Sequence, residues 1–408
     1  MIHRVLIPLL LIAFVVSAQE PPSPEIQQLL ASAQTKLKAK DVKGALEDFE
    51  KILELDPKLV GVWKASGDLK GRLGDHKGAI AAYTEALDIQ EHAVLFRSRA
   101  IAKQQLKDYA AAEKDYAKSV ELNANDANTF YGRARMRENM GDLEGALKDF
   151  KTVTSLAATF GQAYLNLANV KAALGKFKGA MEDYDNALFL IEGKAQSGVI
   201  MSRARTKMLM GDEKGAREDF ANAVKMDPDS HQTLFSRGLF RFDQKMYKEA
   251  VADFRKSLEM DAAAHEYGRL YVCLARMYLG EKEAAQKEMG EYLDGREKQD
   301  DWFVKVAGFL AGRITEDDFL KATQDDNEYT TREQSCEAYW YVGATAHAAG
   351  DKKKALQFMG LCVAVRVHNF IEFQSSRAVL MRAEKANKAS KATETEKPAK
   401  EKAPDKAK

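Results

Sequence analysis

The sequence predicts an all-α fold, a right-handed α-solenoid of stacked helix-turn-helix hairpins. The phrase GALEDF at residues 44–49 returns as GALKDF at 145–150, GAMEDY at 179–184 and GAREDF at 215–220. The alanine of this phrase recurs mostly about every 34 residues, which is the period of a helical-hairpin repeat. Its predicted positions are Ala45, Ala79, Ala112, Ala146, Ala180, Ala216, Ala250, Ala284 and Ala355. A chain of 408 residues exceeds one ordinary core, which also favours an array.

Residues 1–18 are predicted to be a signal peptide. A basic start ending at Arg4 precedes an apolar run from Val5 to Val16, and Ser17 and Ala18 complete a small-residue cleavage site. The run is too short for the ~20 apolar residues of a membrane-spanning helix, so an uncleaved anchor is the less favoured alternative. We expect an exported chain, periplasmic or secreted, with no integral membrane segment after cleavage and a short linker at 19–25.

Each repeat is predicted to contain two helices. In the second helix an aromatic follows the alanine by four residues in seven copies, so a small and a large side chain share one helical face. The first helix carries a large residue followed four positions later by a small one, as in Phe130 and Ala134. A Gly-Asp turn such as 141–142 joins the helices, because glycine tolerates the left-handed backbone that ends a helix. Pro57 and Pro228 are expected to end second helices.

This pattern, W..LG..Y followed by A...F..A....P, resembles the tetratricopeptide repeat (TPR) family. Good copies begin near Ile26, Val60, Ala93, Ala127, Gly161, Ser197, His231 and Cys336, with a weaker copy near His265. We therefore expect a TPR array at 26–298, with about eight repeats of which the last is weak. A degenerate helical repeat should follow at 299–335, with Thr315 starting its short second helix. A final hairpin with a capping helix is expected at 336–383.

Arginine and aspartate recur at matching places in four repeats. The arginines are Arg99, Arg133, Arg203 and Arg237, and the aspartates, sixteen residues later, are Asp115, Asp149, Asp219 and Asp253. We hypothesise that each pair joins the two helices of its repeat, with solvated surface charges as the alternative. One repeat has Ser66 and Ala82 at these places and lacks both partners.

The sequence favours neither an enzyme nor a nucleic-acid-binding protein. It contains no phosphate-binding loop, dinucleotide fingerprint, nucleophile elbow or HExxH pair. The 62 basic and 61 acidic residues balance, so no strong field attracts nucleic acid. We predict no catalytic, cofactor-binding or metal-binding residues and no cofactor.

The three cysteines suggest one crosslink. Cys336 is predicted to begin the first helix of the last repeat and Cys362 to lie near the end of the second, so antiparallel packing brings them to one end of the hairpin. We regard them as a disulfide candidate, with two reduced, packed thiols as the alternative. Cys273 is expected to be buried.

The TPR resemblance implies a concave groove lined by the first helices, where a partner protein or peptide would bind. The candidate groove residues are Lys64, Arg97, Tyr131, Arg135, Asn166, Asn169, Met201, Arg205, Phe235 and Phe242. Arg135 and Arg205 are suited to a carboxylate or a peptide backbone. The methionine and phenylalanines would accept apolar side chains, or would instead pack against adjacent repeats.

Residues from Trp302 onward, WFVKVAGFLAGRITEDDFL and CEAYWYVGATAHAAGDKKKA, resemble the C-terminal part of exported bacterial envelope TPR adaptors. This resemblance implies a non-catalytic interaction scaffold in the cell envelope or exterior. The alternatives are a carboxylate-type clamp for peptide tails, similar to co-chaperones, and a regulatory subunit of an envelope hydrolase. The clamp relatives use a lysine and asparagines, and only partial agreement exists here, with Arg135 or Arg205 in place of lysine.

The last segment, 384–408, is rich in Lys, Ala, Thr, Glu and Pro and lacks apolar periodicity. Such a composition cannot bury a core, so we expect a disordered tail. Weak contact with anionic surfaces is one role for it, and solubilisation alone is the other.

Overall fold

The computed structural model describes residues 22–261, 266–297 and 300–367, followed by 372–373, 375–377, 379–381 and 383–384. The predicted signal peptide at 1–18, the start of the linker, His265 and the tail after residue 384 lie outside the described residues. The described chain is built of α-helices in consecutive antiparallel pairs and contains no strand, so the predicted all-α solenoid of hairpins is confirmed. Of the helices described, none is both long and apolar enough to cross a membrane.

The chain divides into two compact units, Met1–Leu167 and Ala168–Lys408. The helices of the N-terminal unit are α1 (Pro24–Lys38), α2 (Val42–Leu55), α3 (Val60–Arg72), α4 (His76–Ile89), α5 (Ala93–Gln105), α6 (Tyr109–Leu122), α7 (Ala127–Met140) and α8 (Leu143–Leu156). The division falls inside α9 (Gly161–Ala173).

The C-terminal unit continues with the second helix of that repeat. Its helices are α10 (Phe177–Leu190), α11 (Gln196–Met210), α12 (Glu213–Met226), α13 (His231–Asp243), α14 (Tyr247–Met260), α15 (Gly268–Tyr278), α16 (Lys282–Asp294), α17 (Trp302–Leu310), α18 (Glu316–Lys321), α19 (Glu328–Ala348) and α20 (Lys352–Ala364). Thr315 caps α18 by accepting a hydrogen bond from the backbone N–H of Asp318, which is the role that the sequence predicts.

The turns inside the hairpins follow the predicted chemistry. Gly141 ends α7 with a φ of 83°, in the left-handed region that an L-residue avoids. Asp142 then caps α8, accepting a hydrogen bond of 2.9 Å from the backbone N–H of Gly145. The second helices α2 and α12 end at Leu55 and Met226, directly before the segments that contain Pro57 and Pro228.

In hairpins such as α3–α4 and α13–α14, a small residue of the first helix lies against an aromatic ring of the second. A Cβ atom added to Gly67 would lie 2.6 Å from the ring of Tyr83, and one added to Gly238 would lie 2.7 Å from the ring of Phe254. Phe254 is fully buried, and burial of such a ring contributes about 2–3 kcal/mol. The recurring small and aromatic residues therefore set the distance between paired helices.

The hypothesised arginine–aspartate pairs are present in all four repeats, and each is bidentate. Arg133 Nε and Nη2 each donate to Asp149 at 2.8 Å. A second cation twelve residues before the aspartate completes a triad, as in Arg137, whose Nη1 donates to Asp149 at 2.8 Å. Equivalent bidentate pairs join Arg99 to Asp115, Arg203 to Asp219 and Arg237 to Asp253. The aspartates are buried, so the alternative of solvated charges is wrong.

We call these aspartates, together with Asp48 and Asp183, the repeat carboxylates. Asp48 and Asp183 are bound by the second cation, Lys36 and Lys171 respectively. In the repeat with Ser66 and Ala82 neither side chain at this place is charged, and both are buried.

Two sequence predictions are corrected by the structure. In the weak repeat the buried alanine is Ala285, whereas Ala284 is exposed, because 35 residues instead of 34 separate this alanine from Ala250. Cys336 does not begin a helix, since α19 starts at Glu328. Asn327 caps that helix by accepting hydrogen bonds from the backbone N–H groups of the two residues after Glu328.

A double-mutant cycle on Arg133 and Asp149 tests the repeat carboxylates. Asp149→Ala should destabilise the α7–α8 hairpin by about 2–4 kcal/mol, because it leaves two guanidinium groups without their shared acceptor. Arg133→Ala should cost less in the Asp149→Ala background, with a coupling of about 1–3 kcal/mol. Hydrogen exchange at amides of α7 and α8 is the measurement, since a repeat array need not unfold in one step. Additive effects of the two substitutions would contradict the pairing.

Candidate partner-binding surface

The first helices of each unit form its inner surface. In the N-terminal unit α3 contacts α5 and α5 contacts α7, and in the C-terminal unit α11 contacts α13. Stacked hairpins curve towards the side on which consecutive helices approach most closely, so this side is concave. We call the first-helix side of the N-terminal unit the N-terminal groove surface. Its candidate residues are Lys64, Arg97, Tyr131, Arg135 and Asn166, joined by Ile101, Gln104 and Glu138.

Lys64 at the start of this surface is held within its own repeat. Its Nζ lies 2.7 Å from Asp68 Oδ2, one helical turn later. The other oxygen of Asp68 accepts a hydrogen bond of 2.7 Å from the hydroxyl of Tyr83. Asp68 therefore links a half-buried ion pair to the buried aromatic ring of the hairpin.

Arg97 joins two repeats. Its guanidinium pairs with Asp126, which caps α7 in the following repeat and also accepts a hydrogen bond of 2.7 Å from the hydroxyl of Thr129. Burial alone would raise the pKa of Asp126, but the Thr129 hydroxyl and the Arg97 charge outweigh it and the pKa is lowered. One turn after Arg97, Ile101 has 43% of its surface exposed, which leaves an apolar contact point on the inner face.

Tyr131 and Asn166 form a polar link across two repeats. The amide nitrogen of Asn166 donates to the hydroxyl of Tyr131 at 3.0 Å, and its amide oxygen accepts from Gln162 at 3.1 Å. The ring of Tyr131 packs against Phe160 with centroids 5.0 Å apart and edge-on against Phe150 at 5.8 Å. These contacts fix the ring while its polar edge stays on the inner face.

Arg135 differs from the other candidates on this surface. It is exposed, and it has no ion-pair partner among the residues that the structure describes. Glu138, almost one turn later on the same helix, is half-buried, and burial raises its pKa to about 7 although the charge of Arg135 opposes the shift. At neutral pH the surface thus carries an open guanidinium beside a carboxyl group that is only partly ionised.

The polar candidates of the C-terminal unit are engaged internally. Asn169 accepts a hydrogen bond of 2.7 Å from the hydroxyl of Tyr184, which also lies 2.9 Å from the hydroxyl of Thr206. Arg205 is half-buried and donates to the hydroxyl of Ser202 at 3.3 Å. Burial lowers the pKa of Arg205, so its charge is poorly solvated there.

The apolar candidates lie in the core. This agrees with the alternative prediction that they pack against adjacent repeats. Met201, Phe235 and Phe242 are each less than a tenth exposed. Phe242 packs edge-on against Tyr271 with centroids 5.9 Å apart and lies 6.4 Å from Trp340. These rings belong to helices that come 30 to 100 residues later, which is why local spacing did not reveal the packing. A partner-binding role for these three residues stays untested.

Residues after α20 lie against the first helices of the same unit. Glu372, Phe373 and Ser376 are buried, and Glu372 accepts a hydrogen bond of 3.1 Å from the hydroxyl of Tyr271. Arg377 Nη1 donates to the backbone carbonyl of Ala173, at the end of α9, at 2.7 Å. The chain itself therefore covers parts of the inner face of the C-terminal unit.

The two cysteines of the last hairpin meet as the sequence predicts, although Cys336 lies inside its helix. The sulfur atoms of Cys336 and Cys362 are 3.3 Å apart, both residues are fully buried, and both are thiols in this structure. Cys362 and burial together raise the pKa of the Cys336 thiol far above its ordinary value. Oxidation of the pair stays a prediction.

Glu138 was missed by the sequence reasoning. It follows Tyr131 by seven residues, which is two helical turns, so it shares the face of Tyr131 and Arg135. Helical spacing could therefore have placed it on the inner surface, but its burial depends on packing that spacing does not describe.

The pKa of Glu138 predicts a pH-dependent cost to stability. Its pKa is about 7 in the folded chain against an ordinary value of 4.5, so the fold favours the protonated carboxyl and loses stability as the pH rises from about 5 to 7. Glu138→Gln should thus stabilise the chain by about 1–3 kcal/mol at pH 8 and by almost nothing near pH 4. Urea denaturation of the full chain followed by circular dichroism between pH 4 and 9 measures this.

Glu85→Gln is the matched control, because it removes the same charge from an exposed position of the same unit. Glu138→Gln and Glu85→Gln should change the free energy of unfolding differently as the pH varies. If the two variants show the same change at every pH, the pKa of Glu138 is not raised.

Comparison with known proteins identifies the repeats. Family models described as tetratricopeptide repeats match residues 62–92, 99–126 and 203–266, and these models indicate no catalytic family. The human tetratricopeptide repeat protein 13 is 30% identical over 86 residues, which is 21% of this chain and only 10% of that protein. The chain thus spans a tenth of the length of this curated relative.

A solved structure shows the same fold as this chain. A tetratricopeptide repeat protein from Parabacteroides merdae superposes with a TM-score of 0.53 at 18% identity, covering 62% of this chain and 99% of that one. PilW, a type IV pilus biogenesis factor, gives a TM-score of 0.45 at 15% identity, covering 51% and 96%. The matched models and the shared fold agree with the repeats traced above, and residues 62–92, 99–126 and 203–266 of this chain are tetratricopeptide repeats.

Proposed function

We propose that this chain is an exported, non-catalytic scaffold that binds an extended segment of a partner protein on its N-terminal groove surface, with a partner carboxylate on Arg135. Binding by protein partners is what tetratricopeptide repeats generally support. The exported location rests on the leader pattern of residues 1–18 and on the resemblance to envelope adaptors.

The observation that carries the proposal is the open guanidinium of Arg135. Arg133 and Arg137, its neighbours on α7, are both committed to Asp149, whereas Arg135 is exposed and has no ion pair within the described chain. A guanidinium binds a carboxylate through two parallel hydrogen bonds, so it can orient a peptide as well as attract it.

The surroundings of Arg135 suit an extended peptide. The amide of Gln104 and the linked pair of Tyr131 and Asn166 offer hydrogen-bonding groups to a peptide backbone, and Ile101 offers a small apolar contact. Arg97 is tied to Asp126, so the surface keeps its shape without a partner. A preorganised surface loses less entropy on binding.

The first-helix side of the C-terminal unit is partly covered by the chain itself, which supports the choice of the N-terminal unit as the binding surface. There Phe235 and Phe242 are buried by aromatic neighbours, and Glu372 and Arg377 lie against the first helices. We therefore assign partner binding to Arg135 rather than to Arg205.

Charge reversal at Arg135 tests the proposal. The tagged full chain, expressed with its own leader in its native host, would be crosslinked and its partners quantified by mass spectrometry. Arg135→Glu should reduce recovery of at least one enriched partner about tenfold or more, because a carboxylate would then meet a carboxylate. Lys148→Glu is the matched control, since Lys148 is an exposed cation on the second helix of the same repeat.

Circular dichroism of both variants checks that they are folded, as expected for changes at exposed positions. If every partner persists with Arg135→Glu at the level seen with Lys148→Glu, the N-terminal groove surface is not where partners bind.

A further inference from the structure

A cavity of about 350 Å³ lies in the C-terminal unit between the second helices α14 and α16 and the first helix α15. Its floor is apolar and buried, formed by Val272, Cys273, Ala285 and Met289. Its rim is charged and carries Arg255, Arg269 and Arg276 against Glu259 and Glu288. Because it is bounded by second helices, it does not involve the inner surface to which partner binding is assigned above.

The recurring arginine is missing beside this cavity. Val272 stands sixteen residues before Glu288, the separation at which Arg133 stands before Asp149. A valine is much shorter than an arginine, so the volume that a guanidinium arm fills in four other repeats is open here. Met289 also replaces the aromatic ring found in seven other repeats, which widens the space further.

Glu288, the acidic member of the pair, is nevertheless bound by two other arginines. Arg276 binds Glu288 from twelve residues before it, as the second cation does in the other repeats. Arg255 of α14 also reaches Glu288, with Nη2 at 3.1 and 3.2 Å from its two oxygens. Glu288 is therefore neutralised from two sides and does not call for a further cation.

Arg269 is the group left available. Its guanidinium lies 4.1 Å from the centroid of the Tyr292 ring, a stacking contact that fixes its orientation. Its Nε is buried and has no hydrogen-bond partner among the residues that the structure describes. A buried donor without an acceptor is costly, so a ligand that supplies the acceptor gains that free energy.

The net charge of the rim determines whether the cavity favours a negatively or a positively charged ligand. Three arginines against two glutamates leave one net positive charge around an apolar floor. The buried thiol of Cys273 belongs to that floor, because burial raises its pKa to about 12 and keeps it neutral and unreactive. The volume is at the lower end of the range for ligand pockets, which suits a short molecule.

We propose that this cavity binds an organic carboxylate with a short apolar chain, the carboxylate on Arg269 and the chain over Val272 and Met289. Two sources provide this chemistry: a small aliphatic acid, and the C-terminal carboxylate of a peptide that ends in an apolar residue.

Calorimetric titration of the full chain tests the proposal with four probes: octanoate, octanamide, acetyl-Gly-Leu with a free carboxylate, and the same dipeptide as its amide. We expect at least one acid to bind with a Kd of about 0.1–1 mM and its amide to bind about tenfold more weakly or not at all. Whichever acid binds more tightly identifies the source of the carboxylate.

Three variants assign the binding to the cavity. Arg269→Gln should weaken the acid about tenfold, because it removes the charge and keeps most of the side-chain volume. Val272→Arg should abolish binding, because the longer side chain fills the cavity. Arg217→Gln removes the same charge from an exposed position of the same unit and should leave binding unchanged.

Absence of binding by both acids, equal binding of acid and amide, or full retention of binding in Arg269→Gln each overturns the proposal. Arg269→Gln decides the matter even if Val272→Arg does not fold, because Arg269 makes no ion pair within the described chain.

Discussion

A helical hairpin of this length cannot bury its apolar side alone, and the rest of the structure follows from that constraint. The close approach of a small residue to an aromatic ring, as at Gly67 and Tyr83, forms one hairpin but leaves apolar side chains on its outer sides. The next hairpin must cover them, and its own uncovered side calls for another. One short phrase recurs along the sequence because every hairpin has to meet this requirement.

Stacking of the hairpins imposes a second constraint, which concerns the repeat carboxylates. The repeat carboxylates of the second helices are buried, and a buried carboxylate is tolerated only with charged hydrogen-bond donors around it. In four repeats, arginine at one position and lysine or arginine one turn later supply those donors. Lys36 and Lys171 bind Asp48 and Asp183 in two others. Where the arginine is replaced the outcome differs: Ser66 and Ala82 are both buried, whereas a cavity lies beside Val272 and Glu288.

Features that depend on neighbours within one repeat could be predicted from the sequence. The turn at Gly141 and the pairing of Arg133 with Asp149 both follow from spacing along one hairpin, and the structure has them. Features that depend on packing between distant repeats could not. Burial of Phe242 requires Tyr271 and Trp340, and the tie between Arg97 and Asp126 requires the next hairpin to be in place. The start of α19 at Glu328 was missed because no glycine or proline marks the boundary and the repeat pattern covers only its second half.

The two units differ in one arginine: Arg135 is open on the inner side of the N-terminal unit, whereas Arg205 is half-buried in the C-terminal unit. Modification of arginines by phenylglyoxal, followed by mass spectrometry of the native full chain, measures this directly. Arg135 should react as fast as the exposed Arg217, whereas Arg205 and the paired Arg133 should react much more slowly. Equal reactivity of Arg135 and Arg133, or of Arg205 and Arg217, would contradict the assignment of the open surface.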